Sequence, residues 1–307
     1  MKKLLASLTC GTATIGLLFA TPVLADDTAA AEAATTPATT MAKPALWKVA
    51  DEDTTIYLFG TVHILPEGID WFHGPVSTAL ASSDVLITEI PMGPESDMKM
   101  AQLTMATGTL PAGSSLRALL TEEDRTTYEA AMSSLGVPVE AFDAFKPWMA
   151  GLTLTVLPLM QQGYSLEAGV EKRLLKLAGP DKPLDALETV EFQLGLFDGM
   201  EQNDQIAFLI ASASTIDQVT PTLNAMVDRW AEGDVEGLAA IMNQELSDPA
   251  VAEALLYSRN ANWAEWIDAR LDTPGTVFMA VGAGHLAGDR SVQDLLAQRG
   301  IETARVQ

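Results

Sequence analysis

Two segments of this chain, roughly 220 residues apart, carry the same short pattern. Ile56-Tyr57-Leu58-Phe59 runs into Gly60-Thr61-Val62-His63, and Val277-Phe278-Met279-Ala280-Val281 runs into Gly282-Ala283-Gly284-His285. Each is an apolar run of the kind that forms a buried strand, followed by Gly-x-x-His. Glycine is expected to let the backbone turn at the carboxyl end of the strand. The histidine then stands over the sheet edge, where ligands of open α/β sheets bind. If both histidines share a site, strands from the two ends of the chain meet in one sheet and the long helical middle between them is an insertion.

The residues between fit that requirement. A hairpin is expected from residues 46–50 and 55–59 around Asp51-Glu52-Asp53-Thr54, and a buried strand from 84–90. From Ser96 to about Ala178 the periodicity is helical, with a start signal at Thr121-Glu122-Glu123-Asp124 and a break at Gly136-Val137-Pro138. A short strand at 183–186 precedes a second helical stretch from Thr189 to Leu271. A strand at 276–281, a helix at 291–298 and a closing strand at 301–306 complete the chain. No repeat of 20 to 50 residues is present. The fold class expected is α/β: a central mixed sheet with a large helical insertion and the site at the strand ends.

The N-terminus reads as an address. Lys2 and Lys3 precede an uncharged apolar stretch over residues 4–19, and Val23-Leu24-Ala25 fits a cleavage site. Residues 1–25 are therefore expected to be a signal peptide and the Ala/Thr/Pro-rich residues 26–44 a flexible linker. Residues 45–307 would then be the folded domain, of periplasmic or secreted location. Cleavage after Ala25 would take the single cysteine, Cys10, with it, which excludes disulfides and cysteine ligands. No later run reaches the roughly 18 uncharged apolar residues of a membrane span. With 41 acidic against 18 basic residues the formal charge is −23, which disfavours nucleic acid and anionic lipid as partners.

The chemistry is narrowed by elimination. The chain has no Gly-x-Ser-x-Gly elbow, P-loop or His-Glu-x-x-His helix. Of three histidines, His73 has no matching partner and reads as a surface residue. Glu89, at the end of the 84–90 strand, is either a solvated loop acid or a buried carboxylate that needs a cation. His63, Glu89 and His285 would make a ligand set for zinc, manganese, cobalt or iron, with positions left open for water. A metal there would acidify bound water and polarise a carbonyl. Without metal, the same groups could act as base and orienting acid. Glu188 lies at the same edge or caps a helix. Arg259 and Asn260 lie near Trp263 and Trp266, and Arg259 could clamp a substrate carboxylate or pair with Glu188. Gly282-Ala283-Gly284-His285-Leu286-Ala287 also satisfies a dinucleotide fingerprint, against which stand the nearby chain end and the acidity.

Leu58-Phe59-Gly60-Thr61-Val62-His63, Ile87-Thr88-Glu89, Leu187-Glu188-Thr189 with Glu191 and Gln193, Arg259-Asn260 and Val281-Gly282-Ala283-Gly284-His285-Leu286-Ala287-Gly288 follow one another in an order that resembles the TraB/GumN family. That group includes the Tiki metalloproteases and is distantly similar to erythromycin esterase and haem-binding ChaN-like proteins. The resemblance implies an α/β fold whose two Gly-x-x-His histidines and an acid form one site, and for Tiki members divalent-metal-dependent peptide cleavage. Where many relatives have Gly-x-Asp, this chain has Gly169-Val170-Glu171.

The expectation is an exported, metal-dependent hydrolase of a peptide or related amide. Its metal ligands would be His63, Glu89 and His285, and its catalytic residues Glu89, Glu188, Arg259 and Asn260. The alternative is a non-catalytic periplasmic protein that sequesters a small peptide or cofactor. The partner in either case is a peptide or small molecule, and the sequence leaves the oligomeric state open.

Overall fold

A computed structural model describes residues 40–246 and 249–307. The expected signal peptide and residues 26–39 of the expected linker lie outside the described residues. Residues 40–44, the rest of that linker, belong to the fold. Thr40–Met41 pairs in parallel with Ile69–Asp70, and Ala42 is fully buried. The carbonyl of Ala42 faces Nε2 of His73 at 2.9 Å. His73 is thus a half-buried anchor for the incoming chain and not a free surface residue.

The central sheet has six strands in the order Ala304–Arg305, Leu46–Ala50, Thr54–Thr61, Gly275–Gly282, Val85–Thr88, Leu184–Ala186. The first two pairings are antiparallel and the remaining three parallel. Leu46–Ala50 and Thr54–Thr61 form the expected hairpin, with Asp51 Oδ1 accepting from the amides of Asp53 and Thr54 in the turn. The Gly275–Gly282 strand pairs with Thr54–Thr61 along its whole length, so the two ends of the described chain do meet in one sheet. The closing strand is shorter than expected, at Ala304–Arg305.

Alternation along the central strand divides the core. Phe278 and Ala280 join Leu46, Phe59 and Leu86 on one face, against Val76, Leu174, Leu223 and Trp230 from three helices. Val277, Met279 and Val281 join Ile56, Leu58 and Ile87 on the other, against Trp263, Ile267 and Leu296. A strand covered on both faces reads as a continuous apolar run, as this one does in the sequence. The helical middle carries two further cores of its own, one around Trp148, Phe197 and Phe208 and one around Tyr128, Met132 and Leu209. Helix Glu122–Ser134 starts where its capping signal stands, with Thr121 Oγ1 accepting from the Asp124 amide. Among the described residues no helix is long and apolar enough to cross a membrane.

Candidate active site

Four parallel strands end at one edge, and each is followed by one of the residues expected at the site. Thr54–Thr61 leads to His63, Gly275–Gly282 to His285, Val85–Thr88 to Glu89 and Leu184–Ala186 to Glu188. The sheet register makes this a necessity. Thr61 lies opposite Gly282, and Thr88 lies opposite both Ala280 and Ala186. The expected turn at glycine is not what Gly60 provides, because the strand runs straight through it to Thr61. A Cβ at Gly60 would stand 3.0 Å from the Cα of Ala283, so glycine there permits close approach of the two Gly-x-x-His segments.

Glu89, Glu188 and Arg259 form one buried network. Arg259 lies one residue inside helix Ser258–Leu271, just after the π-helical turn Glu253–Tyr257. Its Nη2 donates to Glu89 Oε2 at 2.5 Å and to Glu188 Oε2 at 2.9 Å, and its Nε donates to Glu188 Oε1 at 2.8 Å. Trp263 Nε1 also donates to Glu188 Oε1, and the Gly282 amide donates to Glu89 Oε1 at 2.7 Å. Gln193 Nε2 bridges the two carboxylates, 3.0 Å from Glu89 and 2.8 Å from Glu188. Burial works to raise the Glu89 carboxyl, but Arg259 foremost, then the nearby imidazoles and the Gly282 amide, outweigh it and hold it at about 2. Glu89 is therefore a fixed anion. Of the two readings open for Arg259, the pair with Glu188 is the one formed.

The two histidines differ sharply. His285 is fully buried in the turn Ala283–Leu286, with its ring 4.3 Å from the Trp263 ring. Asn260 donates through Nδ2 to the Arg290 carbonyl, which turns its Oδ1 toward His285 Nδ1 at 2.6 Å. Nδ1 therefore carries the proton, and Nε2 accepts from Arg259 Nη1 at 3.1 Å. His63 has no such partners. Its Nε2 makes no hydrogen bond. Its Nδ1 lies 2.5 Å from Glu171 Oε1, an ionic contact too far out of line to count as a formed hydrogen bond. Glu171 is in turn held by Thr61 Oγ1 at 2.5 Å. Burial lowers the affinity of His63 for a proton, but Glu171 and then Glu89 more than reverse this, and its pKa is raised above 6.5.

Glu171 is the residue that the sequence did not assign. It comes from helix Val170–Ala178, inside the helical insertion, and reaches the site because residue 169 is glycine. A Cβ there would stand 2.1 Å from the His63 carbonyl oxygen, and the next amide, Val170, donates to the Val62 carbonyl at 3.0 Å. The Gly-x-acid spacing at 169–171 was the available signal.

A pocket of about 870 Å³ opens on His63, Glu89, Glu171 and Gln193, within the range of small-molecule sites. Glu188, Arg259, Asn260 and His285 are not among its lining residues. They are hydrogen-bonded to Glu89 or to one another behind it. The expected metal trio does not fit as arranged. Both oxygens of Glu89 and both ring nitrogens of His285 already have partners, and a permanent cation, Arg259, stands between them. Among the described residues no group of three histidine or carboxylate side chains is placed to hold a metal. The dinucleotide reading also lapses, because the glycines lead into a short 3-10 turn and not into the N-terminus of an α-helix.

A six-stranded mixed sheet with helices on both faces, and a histidine–carboxylate cluster at the ends of its parallel strands, defines the class of this protein. The chain belongs to the TraB/PrgY/gumN family, which it matches over residues 45–305. It is also similar to an uncharacterised protein of Treponema pallidum (strain Nichols), 25% identical over 273 residues, covering 82% of this chain and 80% of the relative. No solved structure matches it.

Proposed function

We propose that this is an exported hydrolase of a peptide or related amide, with His63 as the base that activates water. The observation that carries the reading is the state of His63. It is a buried imidazole on a pocket wall, with a carboxylate behind Nδ1 and no partner on Nε2. Nε2 would take the proton of water, and Glu171, fixed by Thr61, would stabilise the resulting imidazolium. A pKa raised above 6.5 suits a base that must gain and release a proton near neutrality. Glu89 adds a fixed negative charge on the same wall, and Gln193 Oε1, buried and without a partner, is an acceptor for water or for an amide N–H. A metal on Glu89 and His285 would require Arg259 to withdraw from both. Export rests on the charge and apolar pattern of residues 1–25.

The test is mass spectrometry of a diverse peptide library incubated with the protein. New peptide termini should accumulate with the wild type and fall by about 10²–10⁴ in rate with His63→Gln, the scale of lost acid–base assistance. A chelator should leave the rate unchanged. Chelator-sensitive turnover restored by a divalent metal would overturn the metal-free assignment. No new termini, with or without added metal, would overturn hydrolysis and favour the second reading. That second reading is a binder, and the observation that favours it is the pocket wall lined by Met92, Met98, Met100 and Met105.

A further inference from the structure

His63 lines the pocket, yet its Nε2 is buried. A nitrogen that has to meet water must be uncovered by movement of one wall. Helix Pro94–Gly108 is the wall best suited to move, since it lines the pocket from residue 96 to residue 105 and buries only Met100, Thr104 and Gly108. Those three stand at i, i+4 and i+8, a single narrow seam. Within the seam Thr104 Oγ1 is buried without a hydrogen-bond partner, which weakens it. Segments with few buried apolar contacts open at the lowest cost.

The two ends of this helix are held unequally. At the C-terminal end the Gly108 carbonyl accepts from the Lys146 amide at 2.7 Å, and the Leu110 amide donates to the Ala144 carbonyl at 2.8 Å. The N-terminal end follows Gly93, whose φ of 124° is open to glycine and rarely to other residues. Two ion pairs fasten this half. Asp97 meets Lys172 of helix Val170–Ala178 at 2.5 Å, and both residues line the pocket. Lys99 meets Glu191 of helix Val190–Asp198 at 2.7 Å. Asp97, Lys99 and Glu191 are each about half exposed, and exposed pairs hold weakly and are screened by salt.

We propose that helix Pro94–Gly108 is a lid that swings on its C-terminal anchor, with Gly93 as the joint that absorbs the motion and the Asp97–Lys172 pair as the latch, and that its opening uncovers His63. This deepens the hydrolase reading and rests on the same site, but access to His63 is measured without turnover.

In the full chain carrying Cys10→Ser, Lys99→Cys and Glu191→Cys would be joined by a short bis-maleimide. The bridge ties the lid to helix Val190–Asp198 and alters no residue that lines the pocket. The same variant with both thiols capped by N-ethylmaleimide is the comparison. Each is treated with diethyl pyrocarbonate, which acylates unprotonated imidazole nitrogen, and peptide mapping by mass spectrometry follows all three histidines. In the capped protein His63 should react much faster than the fully buried His285. In the bridged protein His63 should slow to near the His285 rate, with His73 unchanged. Lys172→Met alone should speed His63 by about two- to fivefold, the scale of one lost exposed ion pair. The bridge leaves helix Val170–Ala178 free, so movement of that wall instead would show as a His63 rate the bridge does not alter. That result, an unchanged rate in Lys172→Met, or His63 and His285 reacting in step as in global unfolding, would overturn the proposal. Peptide turnover is scored separately. Controlled access to His63 without turnover would remove the hydrolase reading and leave this one standing, whereas turnover with access indifferent to the bridge would do the reverse.

Discussion

The two Gly-x-x-His segments are alike in sequence and unlike in use. His285 is fully buried, its tautomer is set by Asn260, and its remaining lone pair accepts from Arg259. His63 stands at the pocket with an unpartnered Nε2 and a carboxylate behind it. Equal spacing after a strand brings both rings to the same sheet edge. What packs around each ring then decides its chemistry. For His285 that is helix Ser258–Leu271, which supplies Arg259, Asn260 and Trp263. For His63 it is the Gly169–Glu171 segment and an open cavity. One motif thus yields one ring at the pocket and one ring locked into the framework.

The largest effect of attacking this contrast should come from Arg259. Arg259→Ala would leave Glu89 and Glu188 buried without their cation, and losing one partner of a buried ion pair typically costs about 3–5 kcal/mol. Chemical denaturation should show a loss of that order. A loss below about 1 kcal/mol would mean that the network is not the framework described. Asn260→Ala removes the acceptor that orients His285, for about 1–3 kcal/mol as expected of an orphaned buried donor. Peptide turnover should be reduced far less by that change than by His63→Gln, because Asn260 does not line the pocket. A matching change at Glu171 should have the opposite signature. Glu171→Gln should reduce turnover by about 10²-fold or more with little change in the denaturation midpoint, and reduced stability with unaltered turnover would reverse the assignment of the two rings.

Acid should act on the framework side. The pKa of Glu89 is lowered from 4.5 to about 2 on folding, so its ionisation stabilises the protein above about pH 4.5. That contribution fades as pH falls from 4.5 toward 2. His63 has the opposite sign. Its raised pKa contributes stability fully present below 6.5, which is lost as pH rises through the folded value. Activity that needs neutral His63 would therefore grow with pH just where this contribution disappears.

Much of the site was legible because strands report their own ends. His63, Glu89 and His285 each follow an apolar run and Glu188 a short strand, and parallel pairing brings those ends together. For Arg259 the sequence left two readings open, and the choice between them needed the packing of helix Ser258–Leu271 against that edge. Glu171 was missed for a different reason. Its contact with His63 depends on a helix in the insertion and on the close approach at Gly169, neither of which has a local signature beyond one glycine. The two extra cores of the helical middle were equally hidden, since periodicity shows that helices form but not which faces meet. The ordered entry at Thr40–Ala42 escaped notice because Ala and Thr in a Pro-rich tract look like linker until a partner strand is present.

The inequality of the two histidines can be read directly from the nitrogen-15 shifts of their imidazoles, followed against pH in the intact protein. His285 should show the tautomer with its proton on Nδ1 at neutral pH. His63 should titrate with a midpoint above 6.5, and Glu171→Gln should lower that midpoint. A proton on Nε2 of His285, or a His63 ring that titrates at or below 6.5 and is indifferent to Glu171→Gln, would contradict the account.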